Sequence, residues 1–127
     1  MSATQQKILI IEDEEPLANM LADKLQAEGF NTQVAYEGQS GLKAALSWLP
    51  DLILLDLIMP KMDGMTMLRR LRQEEKGKMV RVILLTNLSD TSKVFEAVSL
   101  GVNDYLVKTN WDLDEIINEI QNKLTAK

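Results

Sequence analysis

Five short apolar runs, each followed by a longer amphipathic stretch, divide this chain from end to end, and no other feature limits its fold as much. Lys7–Ile11 (KILII) is short, β-branched and bounded by charge, the pattern of a buried strand. Pro16 stands where a helix can begin; Leu17, Met20, Leu21 and Leu25 then recur at helical spacing, and Gly29 is placed to end the helix. Thr32–Ala35 is a weaker strand, Ser40–Leu49 a short helix stopped by Pro50, and Leu52–Leu55 (LILL) is continuously apolar, as a central parallel strand should be. The second half repeats the scheme. Gly64–Glu75 carries Met67, Leu68 and Leu71 on one helical face, Val80–Leu85 is another buried strand, Asp90–Leu100 is a helix closed by Gly101, and Tyr105–Val107 is a last short strand. Asp112 followed by Glu115 forms a capping-box signature for a final helix that turns Leu113, Ile116, Ile117, Ile120 and Leu124 to the core. Strict alternation of strands and helices implies right-handed crossovers, hence a parallel sheet covered on both faces.

At 127 residues, 46% of them apolar, one domain is expected over residues 1–127, with its core between about 6 and 125. The chain has no histidine and no cysteine. That removes serine–histidine catalysis, imidazole and thiolate metal ligands, thiol nucleophiles and disulfides, and leaves carboxylates, lysine, hydroxyls and backbone groups for any chemistry. A net charge of −5 repels nucleic acid and anionic lipid over most of the surface. The only apolar run near the N-terminus, Ile8 to Ile11, is shorter than a secretory h-region and is followed by acids. A soluble cytoplasmic protein that binds neither nucleic acid nor membrane is expected.

In open parallel sheets ligands bind beyond the carboxyl ends of the strands. The polar residues in those places are Glu12 and Asp13 after the first run, Asp56 after the third, Thr86 after the fourth and Lys108 after the fifth. Taken singly, each has an ordinary explanation. Glu12 to Glu15 are equally acids at a helix N-terminus, Asp56 a cap or turn residue, Lys108 a solvated surface lysine, and Thr86 a polar strand end. Together they close separate strands with complementary chemistry. Carboxylates about 4 Å apart repel by roughly 4 kcal/mol at an effective dielectric near 20, and a divalent cation offsets that repulsion. Hard oxygen donors without nitrogen or sulfur favour Mg2+ over zinc or copper.

The stretches IIEDEE at 10–15, DLIMPKMDG at 56–64, LLT at 84–86 and DYLVK at 104–108 carry a resemblance to the receiver domain of bacterial response regulators. It extends over roughly residues 6 to 125. The resemblance implies a flavodoxin-like, doubly wound (βα)5 fold, class α/β, with a five-stranded parallel sheet in the order 2-1-3-4-5 and helices on both faces. It implies that Asp56 is the phosphoacceptor, that Asp13 and Asp56 are direct Mg2+ ligands with Glu12 acting through water, and that the backbone carbonyl of Ile58 completes the protein's share of the metal shell. Thr86 corresponds to the switch hydroxyl, Lys108 to the phosphate-binding lysine and Tyr105 to the switch aromatic. The partners so implied are a histidine kinase or phosphotransfer protein as donor and a downstream protein or output domain, with the chain a monomer or a weak, phosphorylation-dependent dimer. Such a domain is a switch and not a turnover enzyme.

One departure is plain. Thr109 stands where most receivers carry a proline after the lysine; since a non-proline cis bond costs about 2.5–4 kcal/mol, a trans bond is expected there. Two other functions stay open: a receiver-like binding module that never takes phosphate, and a Mg2+-dependent phosphatase of the haloacid-dehalogenase kind. The second wants an acid two residues after the nucleophile, where this chain has Ile58.

Overall fold

The computed structural model describes residues 5–57, 59, 61–86, 91–102, 104–107 and 112–125, with the backbone alone for Thr86, Thr91, Ser92 and Thr125. The strands are β1 (Lys7–Ile11), β2 (Asn31–Ala35), β3 (Leu52–Leu55), β4 (Arg81–Thr86) and β5 (Asp104–Val107). The helices are α1 (Glu15–Ala27), α2 (Gly38–Trp48), α3 (Gly64–Gln73), α4 (Thr91–Ser99) and α5 (Leu113–Thr125), with a 3-10 turn at Glu75–Gly77. All strand pairs are parallel and the sheet order is β2-β1-β3-β4-β5.

Alternation along the strands divides the core in two. Ile8, Ile10, Leu52, Leu54, Ile83 and Leu85 face α1 and α5, whereas Leu9, Ile11, Ile53, Leu55, Val82 and Leu84 face α2, α3 and Ala97 of α4. Side chains on a strand alternate between faces, so continuously apolar runs are what a doubly covered sheet requires. Each fully buried Leu or Ile contributes about 1.5–3 kcal/mol. The methionines Met59, Met65 and Met67 belong to the second of these layers.

Several local expectations are corrected. Met20 is exposed, because α1 buries Ala18, Leu21, Ala22 and Leu25 instead. The two alanines let the helix approach the sheet closely, and Met20 is rotated off that face. The second helix begins at Gly38, two residues before Ser40, and there a Cβ on Gly38 would run into the Met62 backbone. Its end is shaped by Leu49, which adopts a left-handed conformation at φ 56° ahead of Pro50. The third helix ends at Gln73, before the 3-10 turn. The capping box forms as expected: Glu115 N–H donates to Asp112 Oδ1 at 2.8 Å and Asp112 N–H to Glu115 Oε1 at 2.9 Å. The Lys108–Thr109 bond lies outside the described residues. Among those that are described, no helix is long and apolar enough to cross a membrane.

Candidate functional site

The first two acids of the site follow β1 directly. Glu12 N–H continues the β1–β2 ladder by donating to Ala35 O at 3.0 Å, and the Glu12 carboxylate turns back to accept from Glu14 N–H at 3.0 Å through Oε2. The third follows β3, where Asp56 N–H donates to Ile11 O at 3.0 Å. Pairing of β1 beside β3, with Ile11 opposite Leu55, therefore sets the residues after each strand next to one another. Glu12 and Asp56 are only 2% and 4% exposed, and Asp13 is intermediate. One carboxylate oxygen from each of Glu12, Asp13 and Asp56 lies within 4.8 Å of the others.

Charges that close and that buried repel strongly, by about 3 kcal/mol per pair at an effective dielectric of 20. The donor set is three hard oxygens with no nitrogen or sulfur ligand. Its charge and softness suit a cation such as Mg2+, which is bound by one or two carboxylates with waters completing its shell.

The loop after Asp56 is held against the strand end. Gly64 N–H donates to Leu57 O at 2.9 Å, and a Cβ on Gly64 would lie 2.7 Å from Leu57 Cα and closer still to the Asp56 carbonyl oxygen. Only glycine allows this approach of α3 to the end of β3. Lys61 takes a left-handed φ of 65°, and its ammonium lies 3.4 Å from Glu37 Oε2 just before α2.

A family model described as "response regulator receiver domain" matches residues 8–121. The chain belongs to the response regulator receiver family. The chain is 38% identical over 115 residues to the response regulator ArlR of Staphylococcus aureus, covering 91% of this chain and 51% of that protein. It thus spans about half the length of the curated relatives it matches. Among solved structures, the receiver domain of a sensor histidine kinase from Pseudomonas aeruginosa, with a magnesium ion coordinated in its active site cleft, superimposes with a TM-score of 0.84 at 26% identity. The overlap covers 97% of this chain and 100% of that one. The phosphorylated cyanobacterial phytochrome response regulator RcpA matches with a TM-score of 0.83 at 25% identity, over 98% of both chains.

In this receiver domain, Glu12, Asp13 and Asp56 are brought together as the strand ends suggested. Thr86 is the last residue of β4, paired in register with Val107 of β5, although its side chain is outside the described residues. Lys108 and Ile58 also lie outside them. Tyr105 is 45% exposed. Together with Leu84, Val94, Val98, Val102 and Asp104 it lines a separate cavity of about 220 Å3 between β5 and α4.

Asp63 was not marked by its chemistry in the sequence, yet it holds the loop end of α3 by accepting from Thr66 N–H at 2.9 Å. An Asp three residues before a Thr and just ahead of an apolar helix is a readable N-cap signal. The Thr66 amide holds the Asp63 carboxyl below its ordinary value of 3.8; burial opposes this, while the Thr66 hydroxyl, Lys93 and Arg69 support it. A depressed folded-state pKa makes the cap's stabilisation complete above 3.8 and lost as pH falls below that toward the folded value. Asp63→Ala is expected to lower stability by about 1 kcal/mol at neutral pH. The difference from the parent should narrow in urea titrations under acid, and a gap unchanged by pH would contradict the assignment.

Proposed function

We propose that this receiver domain is a phosphorylation-driven switch that accepts a phosphoryl group on Asp56 in a Mg2+-dependent reaction. The observation that carries this proposal is the buried Asp56 carboxylate beside Glu12 and Asp13, with oxygens of all three within 4.8 Å. Asp13, Asp56 and the Ile58 carbonyl would hold Mg2+ directly and Glu12 through water, and the bound ion would neutralise these acids and polarise an incoming phosphoryl group. A carboxylate is a competent nucleophile toward phosphorus, and most of the catalysis is positioning and charge neutralisation. An Asp56 oxygen forms the new O–P bond as the bond to the donor breaks. With no histidine in the chain, the donor is a partner's phosphohistidine, on a sensor kinase or phosphotransfer protein.

Lys108, next in sequence after β5, supplies a fixed positive charge to the phosphoryl oxygens, and the Thr86 hydroxyl donates to the same group. Thr86 ends the strand beside β5, which carries Tyr105. Drawing Thr86 toward a phosphoryl group leaves room that Tyr105 can take, changing the surface of α4, β5 and α5. That surface already exposes Phe95 (74%), Val98 (57%) and Tyr105, apolar groups suited to a downstream protein. The protein so described works in the cytoplasm as a regulated switch without turnover of its own.

The test is intact mass after incubation with acetyl phosphate and Mg2+. The parent should gain one phosphoryl group; Asp56→Asn, or the parent in EDTA, should gain none. A parent that stays unlabelled would leave a receiver fold that works only as a binding module. Steady release of phosphate from a monoester by the purified protein would instead mark a phosphatase.

A further inference from the structure

Two arginines one turn apart on α3 reach α4 and the turn that ends it. Arg69 pairs with Glu96 in the middle of α4. Arg72 reaches the helix terminus, where its Nε donates to Leu100 O at 2.7 Å and one terminal nitrogen to Gly101 O at 3.2 Å, while the other donates to Gly77 O of the 3-10 turn at 2.8 Å. Gly101, at φ 81°, closes α4 by donating to Val98 O at 3.0 Å, and Val102 N–H reaches Ala97 O at 3.2 Å. This glycine turn leaves the carbonyls of Leu100 and Gly101, just past α4, facing Arg72. A cation there is favoured both by those unpaired carbonyls and by the helix dipole.

The guanidinium is partly buried, and that burial lowers its pKa. Losing water is costly for a charge, so a half-buried arginine persists where several acceptors replace the solvent. Its planar fork meets carbonyls on two separate elements at once, which an ammonium on a flexible stem does less well. The C-terminal end of α4 is thus joined to α3 and to the 3-10 turn, whereas its first residue, Thr91, lies on the side of the chain leading from Thr86.

We infer that Arg72, seconded by Arg69, is a positioning clamp that makes the C-terminal end of α4 a fixed pivot, so that displacement driven from the Asp56 pocket is confined to the N-terminal turns of the helix. Phe95, farther from Arg72, then moves more than Val98. The drive rests on the phosphorylation proposed above; the clamp does not.

Amide hydrogen exchange, read residue by residue with and without beryllofluoride and Mg2+ as a phosphoryl mimic, tests it. In the untreated protein, Arg72→Met should speed exchange at Leu100, Gly101 and Val102 about tenfold relative to amides of α1 and β3. Arg72→Lys should restore only part of that protection. In the parent, beryllofluoride should alter exchange in the first half of α4 and leave Leu100–Val102 unchanged; in Arg72→Met the change should spread to the helix end. Uniform acceleration throughout the fold in Arg72→Met, full recovery by lysine, or a response at Leu100–Val102 in the parent would overturn the pivot. Should beryllofluoride fail to bind the parent, the phosphorylation proposal fails, while the untreated Arg72→Met and Arg72→Lys proteins still decide whether the clamp exists.

Discussion

Gly64→Ala should lower the stability of this protein by about 3 kcal/mol, the upper part of the range for overpacking a tight site. Two opposing effects meet at that position. Alanine is the better helix former by about 1 kcal/mol, and Gly64 is the first residue of α3. Its added methyl, however, would sit 2.7 Å from Leu57 Cα and press on the Asp56 carbonyl. Both are backbone atoms at the end of a buried central strand, with no flexible side chain that could swing away. Steric cost therefore outweighs propensity, and a loss of that size is a large part of the roughly 5–15 kcal/mol that holds a domain together. Gly29 provides the control. A methyl there meets nothing within 4 Å, and only the φ of 97° is unfavourable. Gly29→Ala should cost about 1–2 kcal/mol from backbone strain alone. Urea unfolding of both variants reads the difference directly, and a Gly64→Ala protein within 1 kcal/mol of the parent would show that the loop yields. Because the clash bears on the backbone of Asp56, the proposed phosphoacceptor, labelling by acetyl phosphate should also slow in Gly64→Ala and stay at the parent rate in Gly29→Ala.

The second large effect is a stability difference that metal narrows. In EDTA, Asp56→Asn should be more stable than the parent by about 1–3 kcal/mol, since the substitution removes one of three crowded charges, two of them buried, while keeping nearly the same volume. Mg2+ should offset part of that difference. At about ten times its Kd a ligand that binds only the folded state adds about 1.4 kcal/mol, and the parent alone retains the full set of acids to gain it. Thermal unfolding with and without Mg2+ measures both halves. A parent whose melting temperature ignores Mg2+ would count against the metal site, and an Asp56→Asn protein that is weaker than the parent in EDTA would show that Asp56 is a structural anchor. Under the proposed function this result would set function against stability, since the three acids gathered for phosphoryl transfer would weaken the fold that assembles them.

Much of this molecule was legible one segment at a time. Buried strands read as continuous apolar runs because both sheet faces are covered, and α5 announced itself through a capping box and an apolar stripe. Positions of Glu12, Asp13 and Asp56 directly after apolar runs were likewise visible, because strand ends are local features. Other properties arise between segments, and no periodicity reports them. Whether Met20 or Ala18 faces the sheet depends on how closely α1 packs. The start of α2 at Gly38 depends on the Met62 backbone beside it. Nothing local marks Arg72, whose role depends on the end of α4 coming within reach of its fork.

Local composition and spacing thus determined which residues form strands and helices, and which acids follow them, because side-chain period and β-propensity act over a few neighbours. Tertiary structure alone decided that acids more than forty positions apart share one buried pocket, that glycine must stand at 64, and that α3 grips α4. Those outcomes depend on strand order and on distances of closest approach, and both are set only when the separate segments are packed against one another.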